Sequence, residues 1–487
     1  MAFTDIAFLV FFVIVFGLWL LLRRRYVPSL VLLLVASLIF YGFRQWWVVP
    51  IILSYCLINW ATGLWILRAA RPAIALAVGV GFNLAVLGFW KYTPLLVATG
   101  ADLIGWRIAD DWPVIASSWV IPMGISFYAF TGISYMVDVY RRDIDPERNL
   151  WRYTLYTSFF PQLVAGPILR PHEFLVHLGP GTMPQRPLAM GEGAFLIGRG
   201  FSKKLVLADT LAVAIDPYFA NISGSTTAGV WSLPFIYLYA LQIYFDFSGY
   251  TDIARGLGLW FGYRWPENFN LPYLAVSVQD FWRRWHMTLS RFLRDYLYRP
   301  LGGNAHGAWR TAFNLMATML LGGLWHGAGW GFLVWGGLHG FFLVVHRFWS
   351  GTAIRARLAR LDGWRGAVWR MVAIVLTVHT VSLTWCFFRL PSITDGVTCV
   401  CRAASFDTAF AGGSAEVGPW VLIAGYGLAV AIARHLTRGA PLEQVAEGLM
   451  ADPWRHGAFW GVAAGLLVLA VILSPGGQTQ PFIYFQF

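Results

Sequence analysis

The chain has 487 residues, of which 58% are hydrophobic and only 12% charged, about half the charged share of a soluble globular domain. That composition excludes a disordered chain, a collagen-like fibre and a coiled coil, and leaves too little polar surface to cover a water-soluble body of this size. The net charge of +12 would suggest nucleic acid in a soluble protein, but here it sits mostly as Arg in short loops between apolar runs, the pattern of cationic loops held on the cytoplasmic side of a membrane.

The first apolar run, Met1 to Leu22, carries only Asp5 as a charge and is followed by Arg23, Arg24 and Arg25. A secretory signal has the reverse order, so the run reads as an uncleaved span with its N-terminus outside. Further runs cover about Leu30–Tyr41, Trp47–Leu67, Ala73–Trp90 and Pro113–Val137, and one begins near Phe195 and is interrupted by Ser202, Lys203 and Lys204. Then come Trp231–Phe261, Thr311–Trp325, Gly331–Val345, Met371–Phe388, Trp420–Ala433 and Phe459–Leu473. Each approaches the ~20 residues that a spanning helix needs, which predicts about eleven spans, the short ones tilted or re-entrant.

Loop charge supports the alternation. Arg68, Arg71, Arg141, Arg142, Arg148 and Arg152 follow the third and fifth runs, whereas Asp102, Asp110 and Asp111 lie between the fourth and fifth. The basic loops, including the Arg-rich stretches 264–310 and 347–370, are assigned to the cytoplasm and the acidic loop to the outside. The expected architecture is all-α and polytopic, one membrane-embedded domain over 1–487, with N-terminal spans in 1–92, core motifs in about 121–350 and C-terminal spans in 371–487.

Three segments carry chemistry. In residues 280–297, placed on one helix, Asp280, Arg283, Arg284, Arg291 and Arg294 gather on one face. Trp282, Trp285, His286, Leu289, Phe292, Leu293 and Tyr296 gather on the other, as in an amphipathic helix at a membrane interface. His286 reads either as a core histidine or as a functional one, and the Arg face either binds lipid phosphates or receives a polyanionic cofactor. In Leu321–Gly340 the glycines allow close helix approach, and His326 and His339 interrupt the apolar stretch. An ionisable residue at membrane depth is a functional candidate. A neutral imidazole there can take a proton from a hydroxyl or thiol; the alternative is a packing histidine that donates to a backbone carbonyl. His346, beside Arg347, reads as interfacial.

In Tyr244–Asp252, Asp246 and Asp252 lie in or beside an apolar run, with Ser248 and Tyr250 between them and a helix break expected at Gly249. The carboxylates are six residues apart and share no helix face, so they would orient a histidine, pair with Arg255 or line a polar passage, with a plain salt bridge as the alternative. The prolines of 159–171 suggest a broken or re-entrant segment. Serine-hydrolase and phosphate-loop motifs are absent, and no Cys/His grouping has metal-ligand spacing. Cys399 and Cys401 are too close for an unstrained bridge.

At these residues the chain resembles the membrane-bound O-acyltransferase family, in its bacterial polysaccharide branch. The resemblance rests on 159–168, 244–269, the stretch 281–304 (FWRRWHMTLSRFLRDYLYRPLGGN), the GGLWHG of 322–327 and the terminal 481–487, and 82–92 and 121–141 also resemble the family. It implies an acyl-transfer enzyme with a funnel or tunnel through the bacterial inner membrane. His326 matches the family's membrane histidine and His286 its second histidine. Arg283, Arg284 and Asn304 would help form the cytoplasmic mouth, with Asp246, Ser248, Tyr250 and Asp252 as polar support. Acetyl-CoA would be the donor substrate, with no permanently bound cofactor and no metal. A periplasmic or membrane-anchored partner would pass the acetyl group to an exported, alginate-like polysaccharide. Rival readings are the same fold acting on cellulose, peptidoglycan, teichoic acid or protein, a transporter, and a non-catalytic scaffold of an export complex.

Overall fold

A chain crossing lipid must satisfy its backbone hydrogen bonds within each segment or within a closed barrel. In the computed structural model, which describes residues 1–104, 119, 121–164, 166–183, 188–223, 232–390, 392–404, 424–425 and 482, every regular element is helical. Four helices among the described residues are long and apolar enough to cross a membrane: Val48–Arg68, Pro72–Gly100, Trp330–Ser350 and Gly363–Arg389. Ile6–Leu22 and Tyr26–Gly42 are shorter and also apolar. The runs expected at 420–433 and 459–473, the stretch 113–118 and all of the terminal motif except Phe482 lie outside the described residues.

The described chain forms two compact units. The first comprises Met1–Ile197 and Tyr250–Pro266. It holds α1 (Ile6–Leu22), α2 (Tyr26–Gly42), α3 (Val48–Arg68), α4 (Pro72–Ile104), α5 (Ile125–Arg141), α6 (Leu150–Ser158) and most of α7 (Met190–Phe201). Helix α4 extends past the expected end at Trp90 with Pro94 inside it. Small residues set the spacing between α3, α4 and α5: a Cβ on Gly63 would meet the Tyr135 ring at 2.5 Å, and one on Gly79 the Met136 sulfur at 2.3 Å. Buried amides pin the same helices. Asn83 Nδ2 donates to Asn59 Oδ1 at 2.7 Å, and the Tyr55 hydroxyl donates to the Tyr128 carbonyl at 2.9 Å. Asn149 caps α6 by accepting from the Trp151 and Arg152 amides, a contact worth about 1 kcal/mol. The proline-bearing segment after α6 is broken as expected: one short turn at Phe160–Leu163, then two more at Pro171–Glu173 and Leu175–Leu178.

The second unit comprises Gly198–Gly249 and Glu267–Phe487. Lys203 and Lys204 do not interrupt the helix that contains them. Ser202–Ala208 is a stretch of wide π turns joining α7 to α8 (Asp209–Ala220), and both lysines are buried. Helix α9 (Leu233–Trp260) runs unbroken through Gly249. The glycine serves proximity rather than bending, since a Cβ there would meet the Gly200 carbonyl oxygen at 2.8 Å.

The stretch 280–297 departs most from expectation. It is not one helix: α10 (Val278–Arg284) ends at Trp285, and α11 (Met287–Leu293) begins after His286, which has a left-handed φ of 41°. The loop 268–270 supplies the hydrogen bonds that the break frees. The Met287 amide donates to the Asn268 carbonyl at 2.9 Å, and the Asn270 amide donates to the Arg284 carbonyl at 2.9 Å. The Thr288 amide and hydroxyl both donate to Asn268 Oδ1, at 3.2 and 2.6 Å. Without those partners a left-handed non-glycine residue at a helix junction would cost about 1–2 kcal/mol with nothing to offset it.

Helix α12 (Gly307–His326) and α13 (Trp330–Ser350) pack side by side through glycines. A Cβ on Gly323 would meet the Phe332 carbonyl oxygen at 2.3 Å, and one on Gly336 the Met319 carbonyl oxygen at 2.4 Å. The short α14 (Ala353–Ala359), capped by Thr352, leads into α15 (Gly363–Arg389) and then α16 (Ile393–Ala404).

Candidate functional site

His326 is the last residue of α12, where Gly327 adopts an extended backbone and ends the helix. His286 is the left-handed hinge between α10 and α11. Forty residues separate them in sequence, yet their ring centroids lie 6.2 Å apart at an interplanar angle of 56°. Both rings are buried, His286 completely and His326 to 3% exposure.

Aromatic rings wall the pair. Trp325 lies 4.9 Å from the His326 ring and 5.9 Å from the His286 ring. Trp335 of α13 meets His326 edge-on at 5.0 Å and 87°, and Phe388 of α15 lies at 5.3 Å. Phe247 of α9 meets His286 edge-on at 4.7 Å and 84°. Burial pushes the His286 imidazole down to about 3, so the ring is neutral near neutral pH, a state that can accept a proton or orient a neighbour.

The other candidates fall into separate groups. The Lys204 ammonium lies 2.8 Å from Asp246 Oδ1 and 2.8 Å from Asp209 Oδ1, all three side chains buried. Asp246 therefore has Lys204 as a charge partner. Its chain neighbour is Phe247, the ring that meets His286, and Ser248 follows, also buried. Tyr250 and Asp252 belong to the first unit. There the Tyr250 ring stacks on Phe3 at 5.7 Å, and Asp252 faces Arg255 at 4.0 Å.

Arg283 is exposed at the end of α10, and Arg284 is half-buried and held by Asp280 at 3.0 Å. Asp295 holds Arg294 at 2.8 Å and Arg299 at 2.9 Å. Asn304 is exposed beyond the turn at Gly302 and Gly303, both with positive φ, and accepts a hydrogen bond from the Tyr298 hydroxyl. Burial raises the Tyr298 hydroxyl above its usual range, so it remains a donor there. Despite the break at His286, the division into a basic face and an aromatic face survives: Trp282, Trp285, Leu289, Phe292 and Leu293 are buried, and Arg283 and Arg294 are exposed.

Sequence reasoning missed the aromatic walls. Trp335 and His339 are four apart on α13, and Trp385 and Phe388 three apart on α15, spacings that place each pair on one helix face. That periodicity was the available signal for residues flanking His326. Among the described residues no group of three His, Cys, Asp or Glu side chains could hold a metal ion.

Residues 144–388 match the profile of the membrane-bound O-acyltransferase (MBOAT) family. The chain is similar to a probable alginate O-acetylase of Pseudomonas putida, 34% identical with all of both chains covered. It is similar to a probable alginate O-acetylase of Pseudomonas aeruginosa, 39% identical over 81% of this chain and 73% of the relative. It also resembles the peptidoglycan O-acetyltransferase of Helicobacter pylori, 34% identical over 80% of this chain and 76% of the relative.

Proposed function

From the premise that this chain belongs to the membrane-bound O-acyltransferase family and is an acyltransferase, we propose that it moves an acetyl group from cytoplasmic acetyl-CoA to a hydroxyl of an exported, alginate-like polysaccharide, with a periplasmic or membrane-anchored partner completing the delivery. The inner membrane is the site of action, with the N-terminus on the periplasmic face. The observation that carries this reading is the approach of two buried imidazoles, His326 and His286, to 6.2 Å inside an aromatic wall.

In the proposed chemistry His326 takes the proton from the acceptor hydroxyl. The oxygen then attacks the thioester carbonyl carbon, and the resulting tetrahedral oxyanion collapses with cleavage of the carbon–sulfur bond. The thiolate leaves and takes the proton back from the imidazolium, so atoms and charge balance. The aromatic walls limit the access of water that would compete for the thioester. His286, buried beside Trp325, assists by donor positioning or proton relay. Asp246 and Ser248 support the Phe247 turn of α9, and Tyr250 and Asp252 support its continuation in the other unit. Arg283 and Arg284, with Asn304, present charge and an amide to the phosphates of the donor.

Replacing His326 with Ala should abolish acetyl transfer, a fall of about 10²–10⁴-fold for loss of a general base, while the protein still inserts. The measurement is mass-spectrometric detection of O-acetyl groups on exported polymer from cells with the wild-type chain, with His326→Ala and with neither. Full acetylation by His326→Ala rejects the base assignment. Likeness to the peptidoglycan enzyme favours a second acceptor, and the same comparison run on peptidoglycan identifies it if O-acetyl is lost there and not from the exported polysaccharide.

A further inference from the structure

His339 is fully buried in α13, one helical turn beyond Trp335. Both of its ring nitrogens are engaged by specific partners. Trp282 Nε1 of α10 donates to Nδ1 at 3.2 Å, and Nε2 lies 3.0 Å from the hydroxyl of Thr384 on α15. The Thr384 hydroxyl in turn donates to the Val381 carbonyl at 2.7 Å.

These contacts have only one consistent polarity. An indole N–H can only donate, so Nδ1 of His339 is the acceptor and carries no proton. The Thr384 hydrogen is committed to Val381, so its oxygen accepts from Nε2–H. The chain therefore runs Trp282 N–H to His339, His339 N–H to Thr384, and Thr384 O–H to the backbone of α15. A second proton on the ring would place two donors face to face at Nδ1. The arrangement thus holds His339 as one neutral tautomer, suited to bearing load and unsuited to taking a proton.

The chain ties α10, α13 and α15 together around Trp335. That ring lies 4.8 Å from His339, stacks on Trp385 at 5.6 Å and 25°, and meets His326 edge-on at 5.0 Å. Phe281 also stacks on His339 at 6.1 Å and 15°. We propose that His339 is a positioning residue of the acyl-transfer site: its directional hydrogen-bond chain from Trp282 to Thr384 fixes Trp335 and, through it, the orientation of the His326 ring. This rests on the reading of His326 as the base.

The test uses the full-length chain purified in detergent, supplied with acetyl-CoA as donor and an alginate oligosaccharide whose hydroxyl takes the acetyl group, with turnover followed as free thiol across a pH series. His339→Phe keeps the ring volume and removes both polar functions. It should lower kcat by about 10–100-fold, as expected when a reacting group is displaced by a fraction of an ångström to an ångström, with KM for acetyl-CoA unchanged and the shape of the pH profile retained. Thr384→Val and Trp282→Phe should lower kcat in the same direction. The double variant His339→Phe/Thr384→Val should be no slower than His339→Phe alone, because both break one chain. His339→Asn, which restores an acceptor toward Trp282, should recover part of the loss.

Wild-type turnover in His339→Phe overturns the proposal, as does a double variant whose defects multiply. So does a His339→Asn variant whose residual turnover has lost the acid limb of the profile, which would make His339 itself the titrating base. His326→Ala is run alongside: turnover in that variant sinks the base assignment, whereas an inactive His326→Ala with an unaffected His339→Phe sinks only the positioning role. If His339→Phe does not survive extraction, Thr384→Val and His339→Asn carry the same comparison.

Discussion

Lys204 places one ammonium between the carboxylates of Asp209 and Asp246, each at 2.8 Å, in a setting where all three are buried. Removing one member of such a group costs more than the group contributes, because the remaining charges keep their desolvation penalty. Lys204→Met should lose about 3–5 kcal/mol of stability, read as a fall in the melting temperature of the detergent-solubilised protein. Adding Asp246→Asn should return part of that loss, since it removes one of the charges the lysine neutralised. His326 stood out in the sequence, together with His339, as an imidazole in an otherwise apolar stretch. Lys204 was legible only as a charge interrupting an apolar run. That Asp246, 42 positions away, is one of its partners could not be read without knowing that α7 and α9 approach each other at Gly200 and Gly249.

At the scale of elements, the pairing of α12 and α13 depends on positions without side chains. A Cβ on Gly336 would sit 2.4 Å from the Met319 backbone oxygen, which has no flexible end to move aside. Gly336→Ala should therefore push the helices apart at a cost of about 1–3 kcal/mol and displace Trp335 from His326, lowering both the melting temperature and acetyl-CoA turnover. Gly17→Ala on α1 is the contrast, since nothing lies within 4 Å of a Cβ there. It should leave turnover unchanged and be neutral or stabilising by up to about 1 kcal/mol. Apolar periodicity announced these helices well: the run expected at 311–325 became Gly307–His326, and that at 331–345 became Trp330–Ser350. It did not reveal the break at His286. The residues 280–297 keep a helical pattern of polar and aromatic faces across the hinge, and the groups that stabilise the hinge come from Asn268 and Asn270, outside the window that periodicity reads.

Across the whole molecule, the proposed roles divide between capture at the basic side chains Arg283 and Arg284 and chemistry at the buried histidines. Arg283→Ala/Arg284→Ala should raise KM for acetyl-CoA several-fold and flatten its dependence on ionic strength, with kcat little changed, because phosphate attraction contributes to encounter rather than to the transfer step. Steady-state kinetics at low and high salt measure this, and an unchanged KM would remove these residues from the donor mouth. Composition was sufficient to recognise a membrane protein. The assignment of chemistry needed the two histidines brought together, and nothing in the spacing between 286 and 326 requires that approach. It follows from a hinge whose amides are bonded to a remote loop. Helix ends ordinarily fray first. Here the Met287 and Asn270 amides, each at a terminus or in a loop, both make backbone hydrogen bonds of 2.9 Å. Local opening will therefore begin elsewhere, and the junction between the two short helices will behave as a fixed pivot rather than a joint.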